Sequence, residues 1–269
     1  MTNNIEITNV VFDAPYAGAR ELFAETAGSI ATLYAELLGL PKVSRADFYR
    51  SRGYDPDDND EFDPVVCRSD GTGIGIAFEW QSEGYEPPRW PDPDYPQQMH
   101  LDVFVDDLSS ADALVRDLGV SVLREDDGHA IYADAGGHPF CLCERGGGVG
   151  EAGAPGRLGR VVFDCPDPGA LAAFYTELFE MRERIEDTSD FIVIGREADP
   201  SMPMLAFQRS SSPPPRFPDP AFPEQVHLDI GSDDAQATRE RALALGATRL
   251  AATDYHHVLA DPAGHPFCV

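Results

Sequence analysis

Basic side chains are scarce in this sequence of 269 residues. Only 20 Lys and Arg oppose 47 Asp and Glu, so the formal net charge is −27 at pH 7. A protein that binds DNA or RNA without regard to sequence needs clustered Lys and Arg to replace the counterions of the phosphates. The deficit therefore predicts that the protein has no nucleic acid partner. The excess acid is typical of a well-solvated surface, and it would also attract a cationic ligand into a cleft.

Cysteine and long apolar stretches are also scarce. The five cysteines are odd in number and unevenly spaced, which is not the pattern of a disulfide-stabilised secreted protein. No apolar run approaches the roughly 20 residues of a membrane-spanning helix. Residues 1–10 lack the basic start and the apolar stretch of a signal peptide. These absences predict a cytoplasmic protein that does not associate with a membrane.

An internal repeat dominates the sequence. Residues 89–103 read RWPDPDYPQQMHLDV, and residues 216–230 read RFPDPAFPEQVHLDI, so that nine of the fifteen positions are identical. The same offset of 127 carries GHPFC at 137–141 onto GHPFC at 264–268. Agreement at one constant offset over roughly fifty residues indicates a tandem duplication.

The N-terminal parts of the two copies also match, but at a different offset. The sequence VVFD occurs at 10–13 and again at 161–164, an offset of 151. The first copy therefore contains insertions upstream of residue 89. We predict a first domain over 1–146, a linker rich in Gly and Ala over 147–156, and a second domain over 157–269.

The hydrophobic pattern predicts a βαβββ unit that occurs twice per copy and four times in the chain. A β-branched run predicts a strand at 7–14, and an apolar stripe predicts a helix at 17–38. A second strand is predicted at 99–105, followed by a helix at 109–118 that Gly119 ends. The remaining strands of the first copy are predicted at 46–52, 64–68, 73–80, 121–123, 130–133 and 139–144.

Three motifs resemble those of the vicinal oxygen chelate superfamily, which includes glyoxalases, extradiol dioxygenases, fosfomycin-modifying enzymes and bleomycin-resistance proteins. They are DCPDP followed by AFYTELF between 164 and 179, HLDV at 100–103, and ADPAGHPFC at 260–268. The resemblance covers nearly the whole chain. It implies an α+β fold in which tandem βαβββ units form two half-open mixed β-barrels, one per copy, with helices outside. It implies no single reaction, because unrelated reactions share this scaffold.

The resemblance also implies where the metal enzymes of the superfamily hold a divalent ion. The ligand on the first strand, usually His or Gln, falls on Asn9 in the first copy and on Arg160 in the second. The His that opens the second half of each copy is present as His100 and His227. A guanidinium at the first position opposes a divalent cation, because its positive charge is permanent.

Two further ligand positions complete this comparison. The carboxylate of the last strand, usually Glu, falls on Cys141 and Cys268. Another position falls near Glu79 and Gln208. Since only one of the three main positions matches in each copy, we predict that the protein has no metal cofactor. The alternative is a divalent metal at His100 or His227.

Strand alternation predicts which side chains face the pocket. His100, Asp102 and Phe104 share one face of their strand, and Cys141 and Cys143 share one face of the last strand. The corresponding residues of the second copy are His227 and Asp229. His100 and Asp102 are candidates for an acid and a base, although His100 could instead orient the proline-rich loop before it. Two thiols near an imidazole could also bind a soft metal, or simply fill a narrow barrel.

A proline-stiffened loop carries aromatic side chains that suit the wall of a pocket for a flat ligand. These are Trp90 and Tyr95 in the first copy and Phe217 and Phe222 in the second. They could equally plug one end of the barrel. Glu79 is a further candidate for a cationic ligand.

Three hypotheses on function remain open after these observations. The leading one is a metal-independent protein of the bleomycin-resistance type that binds a cationic or aromatic natural product or drug. The second is a metalloenzyme of the glyoxalase or dioxygenase type. The third is a metal-free isomerase or lyase that uses His100 and Asp102. A small molecule is the expected partner in each case, and the protein is expected to be a monomer or a homodimer.

Overall fold

The computed structural model describes residues 3–15, 20–51, 53, 64–68, 73–81, 86–92, 97–146, 152–195, 202–211, 213, 215–217, 219, 224–252 and 257–269. The helices are α1 (Arg20–Leu38), α2 (Arg45–Ser51), α3 (Leu108–Asp117), α4 (Pro168–Phe179) and α5 (Ala235–Ala244). The strands of the first copy are β1 (Ile5–Pro15), β2 (Lys42–Ser44), β3 (Pro64–Val66), β4 (Gly75–Gln81), β5 (Met99–Val105), β6 (Ser121–Asp126), β7 (His129–Ala133) and β8 (Pro139–Glu144). Those of the second copy are β9 (Gly156–Cys165), β10 (Glu183–Asp187), β11 (Phe191–Gly195), β12 (Met204–Arg209), β13 (Val226–Ser232), β14 (Thr248–Ala252), β15 (His257–Ala260) and β16 (Pro266–Cys268).

Aspartate caps start three of the helices. Asp107, Asp167 and Asp234 precede α3, α4 and α5 in extended conformation, and each side chain accepts a backbone N–H from the first helical turn. Such a cap satisfies donors that have no partner within the helix. The predicted order of four βαβββ units is confirmed.

Each sheet contains strands from both copies of the repeat. The first sheet has the strand order β14-β15-β16-β13-β1-β4-β3-β2, and the second has the order β10-β11-β12-β9-β5-β8-β7-β6. Within the described residues, the end strands of neither sheet pair with each other, so both sheets are half-open. The two half-open mixed β-barrels are therefore confirmed, with α1, α3, α4 and α5 packed outside them.

The implication that each barrel is built from a single copy of the repeat was wrong. In the first sheet, β1 of the first copy pairs antiparallel with β13 of the second; in the second sheet, β5 pairs antiparallel with β9. Every pocket formed by these sheets thus needs both copies. A working site therefore cannot be assigned to one copy alone. The boundaries of the repeat units along the chain, and the linker between them, stay a prediction.

The segment predicted as a strand at 46–52 is helical instead. The side chain of Ser44 accepts the backbone N–H of Asp47 at 3.0 Å, which caps α2, and Asp47 pairs with Arg50 one turn later. These local interactions favour a helix over the alternation that predicted a strand. Helix α2 places Phe48 against Val11 on the concave side of the first sheet.

The main apolar core lies between the sheets and the outer helices. Equivalent aromatic pairs anchor the two copies: the rings of Phe12 and Tyr34 lie 5.6 Å apart, and those of Phe163 and Tyr175 lie 4.9 Å apart. All four side chains are fully buried. Burial of one such side chain contributes about 1.5–3 kcal/mol to the free energy of unfolding. None of the described helices combines the length and the apolarity that crossing a bilayer requires.

Candidate functional site

Strand register defines two equivalent sites, one on the concave face of each sheet. In the first sheet, Asn9 lies opposite Asp229, and Asp13 lies opposite Glu79. In the second sheet the matching pairs are Arg160 with Asp102 and Asp164 with Gln208. The register therefore supports the uncertain match of Glu79 with Gln208. The first-sheet site comprises Asn9, Asp13, Glu79, Glu224, His227, Asp229 and Cys268; the second-sheet site comprises Arg160, Asp164, Gln208, Gln97, His100, Asp102 and Cys141.

A β-bulge precedes the key position in each site. The register shifts between Ile7 and Asn9 in β1 and between Asp102 and Val103 in the β5–β9 pair. The unpaired residues are Thr8 and Gly159, which are equivalent in the two copies. A bulge re-aims the neighbouring side chains and is common beside binding sites.

An ion pair occupies the centre of the second-sheet site. Arg160 Nε lies 2.7 Å from Asp102 Oδ2, and both side chains are largely buried. The guanidinium carbon lies 5.2 Å from the centre of the Phe104 ring and 5.3 Å from that of Phe191. Phe104 is fully buried and packs with Val162, Val193, Met204 and Ala206. The protein thus fills this site with its own guanidinium and rings.

Gln97 determines the hydrogen-bonding role of His100. Its amide nitrogen Nε2 lies 3.0 Å from His100 Nδ1, and the same side chain hydrogen-bonds the Asp164 carboxylate. An amide nitrogen can only donate. Nδ1 of His100 therefore accepts, and the proton of the neutral ring is on Nε2, which faces Asp102 at 3.7 Å. The structure brings the predicted His100 and Asp102 together, but Asp102 also holds Arg160, which favours a structural role for this pair.

The first-sheet site has a different set of contacts around its histidine. His227 Nδ1 lies 3.3 Å from Glu224 Oε1, and Nε2 lies 3.7 Å from both Glu79 Oε2 and Asp229 Oδ1. A carboxylate can only accept, so Nδ1 of His227 carries a proton. Burial disfavours the imidazolium, but the Glu224 carboxylate and the contact with Cys268 together outweigh it and raise the pKa of His227 well above its usual value.

Solvent reaches the first-sheet site more easily than the second. The side chain of Asp229 is 31% exposed, whereas that of Asp102 is 7% exposed. Glu79 is half exposed, and His227 is buried beneath it. Asn9 is the counterpart of Arg160 in this site. Its Nδ2 donates to Asp229 Oδ2 at 2.9 Å. The concave face of the first sheet thus presents carboxylates to solvent around a buried imidazole.

The two sites differ in whether their residues fit a divalent metal. Asp13, Glu79 and His227 offer donor atoms within 4.8 Å of one another, and this N/O set fits ions such as Zn²⁺ or Mn²⁺. His100, Asp102 and Cys141 are equally close. There, however, Arg160 holds the carboxylate, and its permanent positive charge does not fit a second cation. Within the described residues, the first-sheet site is the better candidate for a metal.

The thiols of both sites are held in their neutral form. Burial raises the pKa of Cys141 above its usual value, and it raises the pKa of Cys143 to about 12. Burial also raises the pKa of Cys268, although the contact with His227 opposes it. Soft metals bind thiolates. These environments therefore favour the packing role of the cysteines over a soft-metal site.

The aromatic residues predicted from the proline-rich loops lie partly outside the described residues. Trp90 and Phe217 are half-buried. Tyr95 and Phe222 fall outside the described ranges. The roles of all four as ligand contacts stay predictions.

Two contacts of the site were missed by sequence reasoning. One is the pair formed by Glu224 and His227, for which the E-x-x-H spacing was a usable signal. The other is the pair of Arg160 with Asp102, which are 58 residues apart in the sequence and meet only because β5 and β9 pair.

Comparison with known proteins settles the family of this chain. The model of the glyoxalase-like domain matches it twice, over residues 21–143 and 160–269. The protein belongs to the glyoxalase-like domain family. The predicted membership of the vicinal oxygen chelate superfamily is thus confirmed, with the domain present in two copies.

Solved structures share the fold of this glyoxalase-like protein. Glyoxalase I from Zea mays superposes with a TM-score of 0.63 at 15% identity, over 99% of this chain and 92% of that chain. A putative dioxygenase from Bacillus subtilis superposes with a TM-score of 0.59 at 14% identity, over 97% of this chain and 83% of that chain. At these identities the likeness concerns the fold alone. A comparison with curated protein sequences found no significant match.

Proposed function

We propose that this glyoxalase-like protein binds a small organic molecule at the first-sheet site and does so without a resident metal ion. The main support is the difference in solvent exposure between two equivalent aspartates. Asp229 is 31% exposed, whereas Asp102 is 7% exposed beneath Arg160. A ligand can therefore approach the first-sheet site, while the protein closes the second-sheet site with its own side chains.

The charge of the first-sheet site favours a cationic ligand. Asp13, Glu79, Glu224 and Asp229 surround His227 on the concave face. The net charge of −27 adds a long-range attraction for cations, which salt weakens.

Calorimetry with the full chain tests this proposal after treatment with EDTA. A panel of cationic, neutral and anionic aromatic compounds is titrated into the protein and into Glu79→Gln and Asp229→Asn. We expect one cationic member to bind with 1:1 stoichiometry and both substitutions to weaken it. The control is Asp117→Asn, which removes one exposed carboxylate at the end of α3. Absence of binding across the whole panel contradicts the proposal.

A second candidate is a metalloenzyme of the glyoxalase or dioxygenase type, and one observation favours it. The donor atoms of Asp13, Glu79 and His227 lie within 4.8 Å of one another. These residues would hold the ion, and Glu224 would orient the ring of His227 from its other nitrogen. A divalent ion there would polarise a carbonyl group or acidify a water molecule.

Metal analysis separates the two candidates. The protein is purified without chelators, and its content of Fe, Mn, Ni and Zn is measured beside that of His227→Ala and His100→Ala. One equivalent of metal that is lost only in His227→Ala would replace the first proposal with the second. Metal content far below one equivalent in the unaltered protein supports the metal-independent proposal.

A further inference from the structure

We infer that the ligand of the first-sheet site carries a guanidinium group, bound by Asp229 and Glu79 in the place that Arg160 occupies in the second sheet. This inference rests on the proposed function, because it names the ligand class of the same site. The second-sheet site, which is equivalent in the repeat, shows what chemistry the first-sheet site can bind.

The second-sheet site shows how this scaffold holds a guanidinium. Arg160 lies 2.7 Å from the Asp102 carboxylate, and its guanidinium carbon lies over the rings of Phe104 and Phe191 at 5.2 and 5.3 Å. A carboxylate and aromatic ring faces are groups that recognise this cation well. The side chain therefore acts as a built-in ligand for that site.

The first-sheet site lacks three of the side chains that fill the second. Asn9 replaces Arg160, and Gly231 replaces Phe104 at the repeat offset of 127. Gly75 stands opposite Asn9 where Met204 stands opposite Arg160. Each change is from a large side chain to a small one, and together they remove a guanidinium, a phenyl ring and a thioether.

Other side chains of the protein take over part of the space of the phenyl ring and of the thioether. Thr8 Cγ2 lies 2.6 Å from the position of a Cβ atom built on Gly231, so Thr8 takes part of the place of the phenyl ring. Asn9 Oδ1 lies 2.5 Å from a Cβ atom built on Gly75, and Val65 Cγ1 and Phe48 Cε2 lie 3.3 and 3.5 Å from the same position, so these side chains take the place of the thioether. Within the described residues this buried oxygen has no hydrogen-bond partner. An unsatisfied buried acceptor is expected where a ligand supplies the missing donor.

The charge of the first-sheet site changes in the same direction. Glu79 and Glu224 stand where the second-sheet site has Gln208 and Gln97, and Asn9 stands where it has Arg160. Two carboxylates more and one guanidinium fewer lower the side-chain charge of the first-sheet site by three units, and a protonated His227 offsets one of them. A bound cation offsets part of this difference, since neighbouring carboxylates in a half-buried site repel one another.

The geometry of the carboxylates suits a planar cation with several donors. Glu79 Oε2 and Asp229 Oδ1 approach the same imidazole nitrogen, each at 3.7 Å, from two different strands. A guanidinium has five N–H donors in one plane and can bridge two such oxygens, whereas an ammonium is a more strongly hydrated point charge. The substituent of the guanidinium would then extend toward solvent beside the half-exposed Glu79.

Benzylguanidine is the probe for this inference, with benzylurea as its neutral analogue and benzylamine as its ammonium analogue. Calorimetry is carried out on EDTA-treated full-length protein, and Mn²⁺ is titrated separately. We expect benzylguanidine to bind at least about tenfold more tightly than either analogue, because charge-assisted fork contacts are worth more than single or neutral ones. Asp229→Asn should weaken its binding about tenfold or more, whereas the exposed control Asp117→Asn should leave it unchanged.

Asn9→Arg provides the sharper variant, because it recreates the arrangement of Arg160 with Asp102. It should abolish benzylguanidine binding while the thermal unfolding temperature stays at or above that of the unaltered protein. If Asn9→Arg does not fold, the comparison of Asp229→Asn with Asp117→Asn still decides the question. Equal binding of benzylurea, or unchanged binding in Asp229→Asn, overturns the guanidinium inference and leaves the proposed function standing. Binding of Mn²⁺ alone also overturns it, and the absence of any small-molecule binding in the wider panel overturns both.

Discussion

Gln98 and Gln225 exchange hydrogen bonds where the two sheets meet. The backbone N–H of Gln98 donates to Gln225 Oε1 at 3.0 Å, and the backbone N–H of Gln225 donates to Gln98 Oε1 at 3.3 Å. Their carbonyl oxygens accept from Asp164 and Asp13, respectively, at 3.1 and 3.0 Å. Because the two glutamines are equivalent in the repeat, these bonds mark an approximate twofold axis between the copies, directly beside both sites.

Loss of this reciprocal contact should destabilise the whole fold. Gln98→Ala and Gln225→Ala each leave one buried backbone N–H without its acceptor, which costs about 1–3 kcal/mol of the free energy of unfolding. Urea unfolding measures the loss. The control Gln236→Ala, on the exposed face of α5, should change the free energy by no more than about 0.5 kcal/mol. Equal small changes in all three variants would show that the contact is not important for stability.

Arg160→Ala should strongly destabilise the second sheet. The substitution leaves Asp102 buried without its cation, and loss of one partner of a buried ion pair costs about 3–5 kcal/mol. Methylguanidinium at millimolar concentration should raise the unfolding temperature of this variant, because it can re-enter the space beside Phe104. Differential scanning calorimetry measures both effects.

Two controls accompany this rescue experiment. Methylammonium should rescue less, because it lacks the planar fork of donors. Arg182→Ala removes an exposed arginine and should show neither destabilisation nor rescue. A response to methylguanidinium that is the same in Arg160→Ala and Arg182→Ala would refute the role of Arg160 as a built-in ligand.

His265 should make stability depend on pH. Its Nδ1 lies 3.0 Å from Asp261 Oδ2, and its Nε2 lies 3.1 Å from the carbonyl oxygen of Asp164, so only the doubly protonated ring donates to both. Burial opposes the charge, but the Asp261 carboxylate and the contact with Asp164 together outweigh it and raise the pKa of His265. The pKa of His265 is thus higher in the folded protein than in the unfolded chain, where it is about 6.5. The histidine therefore contributes fully to the free energy of unfolding below about pH 6.5, and this contribution is lost as the pH rises through the pKa of the folded protein.

Urea unfolding between about pH 5.5 and 9 tests this prediction. These limits lie about one unit below and two to three units above the pKa of histidine in the unfolded chain. His265→Gln should lose most stability relative to the unaltered protein at the acidic end of the range and less at the alkaline end. His129→Gln, at a partly exposed histidine of β7, should show a smaller difference without this trend. A loss in His265→Gln that is the same at every pH would contradict the prediction.

The thiols of Cys143 and Cys165 should react slowly while the protein is folded. The pKa values of Cys143 and Cys165 are raised to about 12, chiefly by burial, so few thiolates are present at pH 8. Labelling with a thiol reagent at pH 8 should be slow in the native protein and should reach all five cysteines in urea. Rapid modification of Cys141 or Cys143 in the native state would reopen the soft-metal hypothesis.

Much of the architecture could be predicted from local signals. The repeat, the four βαβββ units and the side of β5 on which His100, Asp102 and Phe104 lie follow from sequence periodicity, and strand register confirms that Cys141 and Cys143 share the same concave face. The helix at Arg45–Ser51 was missed because a short segment with mixed polarity fits either period, and the Ser44 cap decided between them.

The amino-acid sequence by itself determined the family, the duplication and the two equivalent sets of candidate residues, because strand and helix periods are local properties of the chain. Only the tertiary structure decided that each site joins the two copies, that Arg160 closes one site against Asp102, and that Asp229 in the other stays accessible to solvent. These outcomes depend on which strands pair at long range. The pairing of β1 with β13 and of β5 with β9 depends on the packing of the whole chain. It therefore cannot be predicted from any short segment of the sequence.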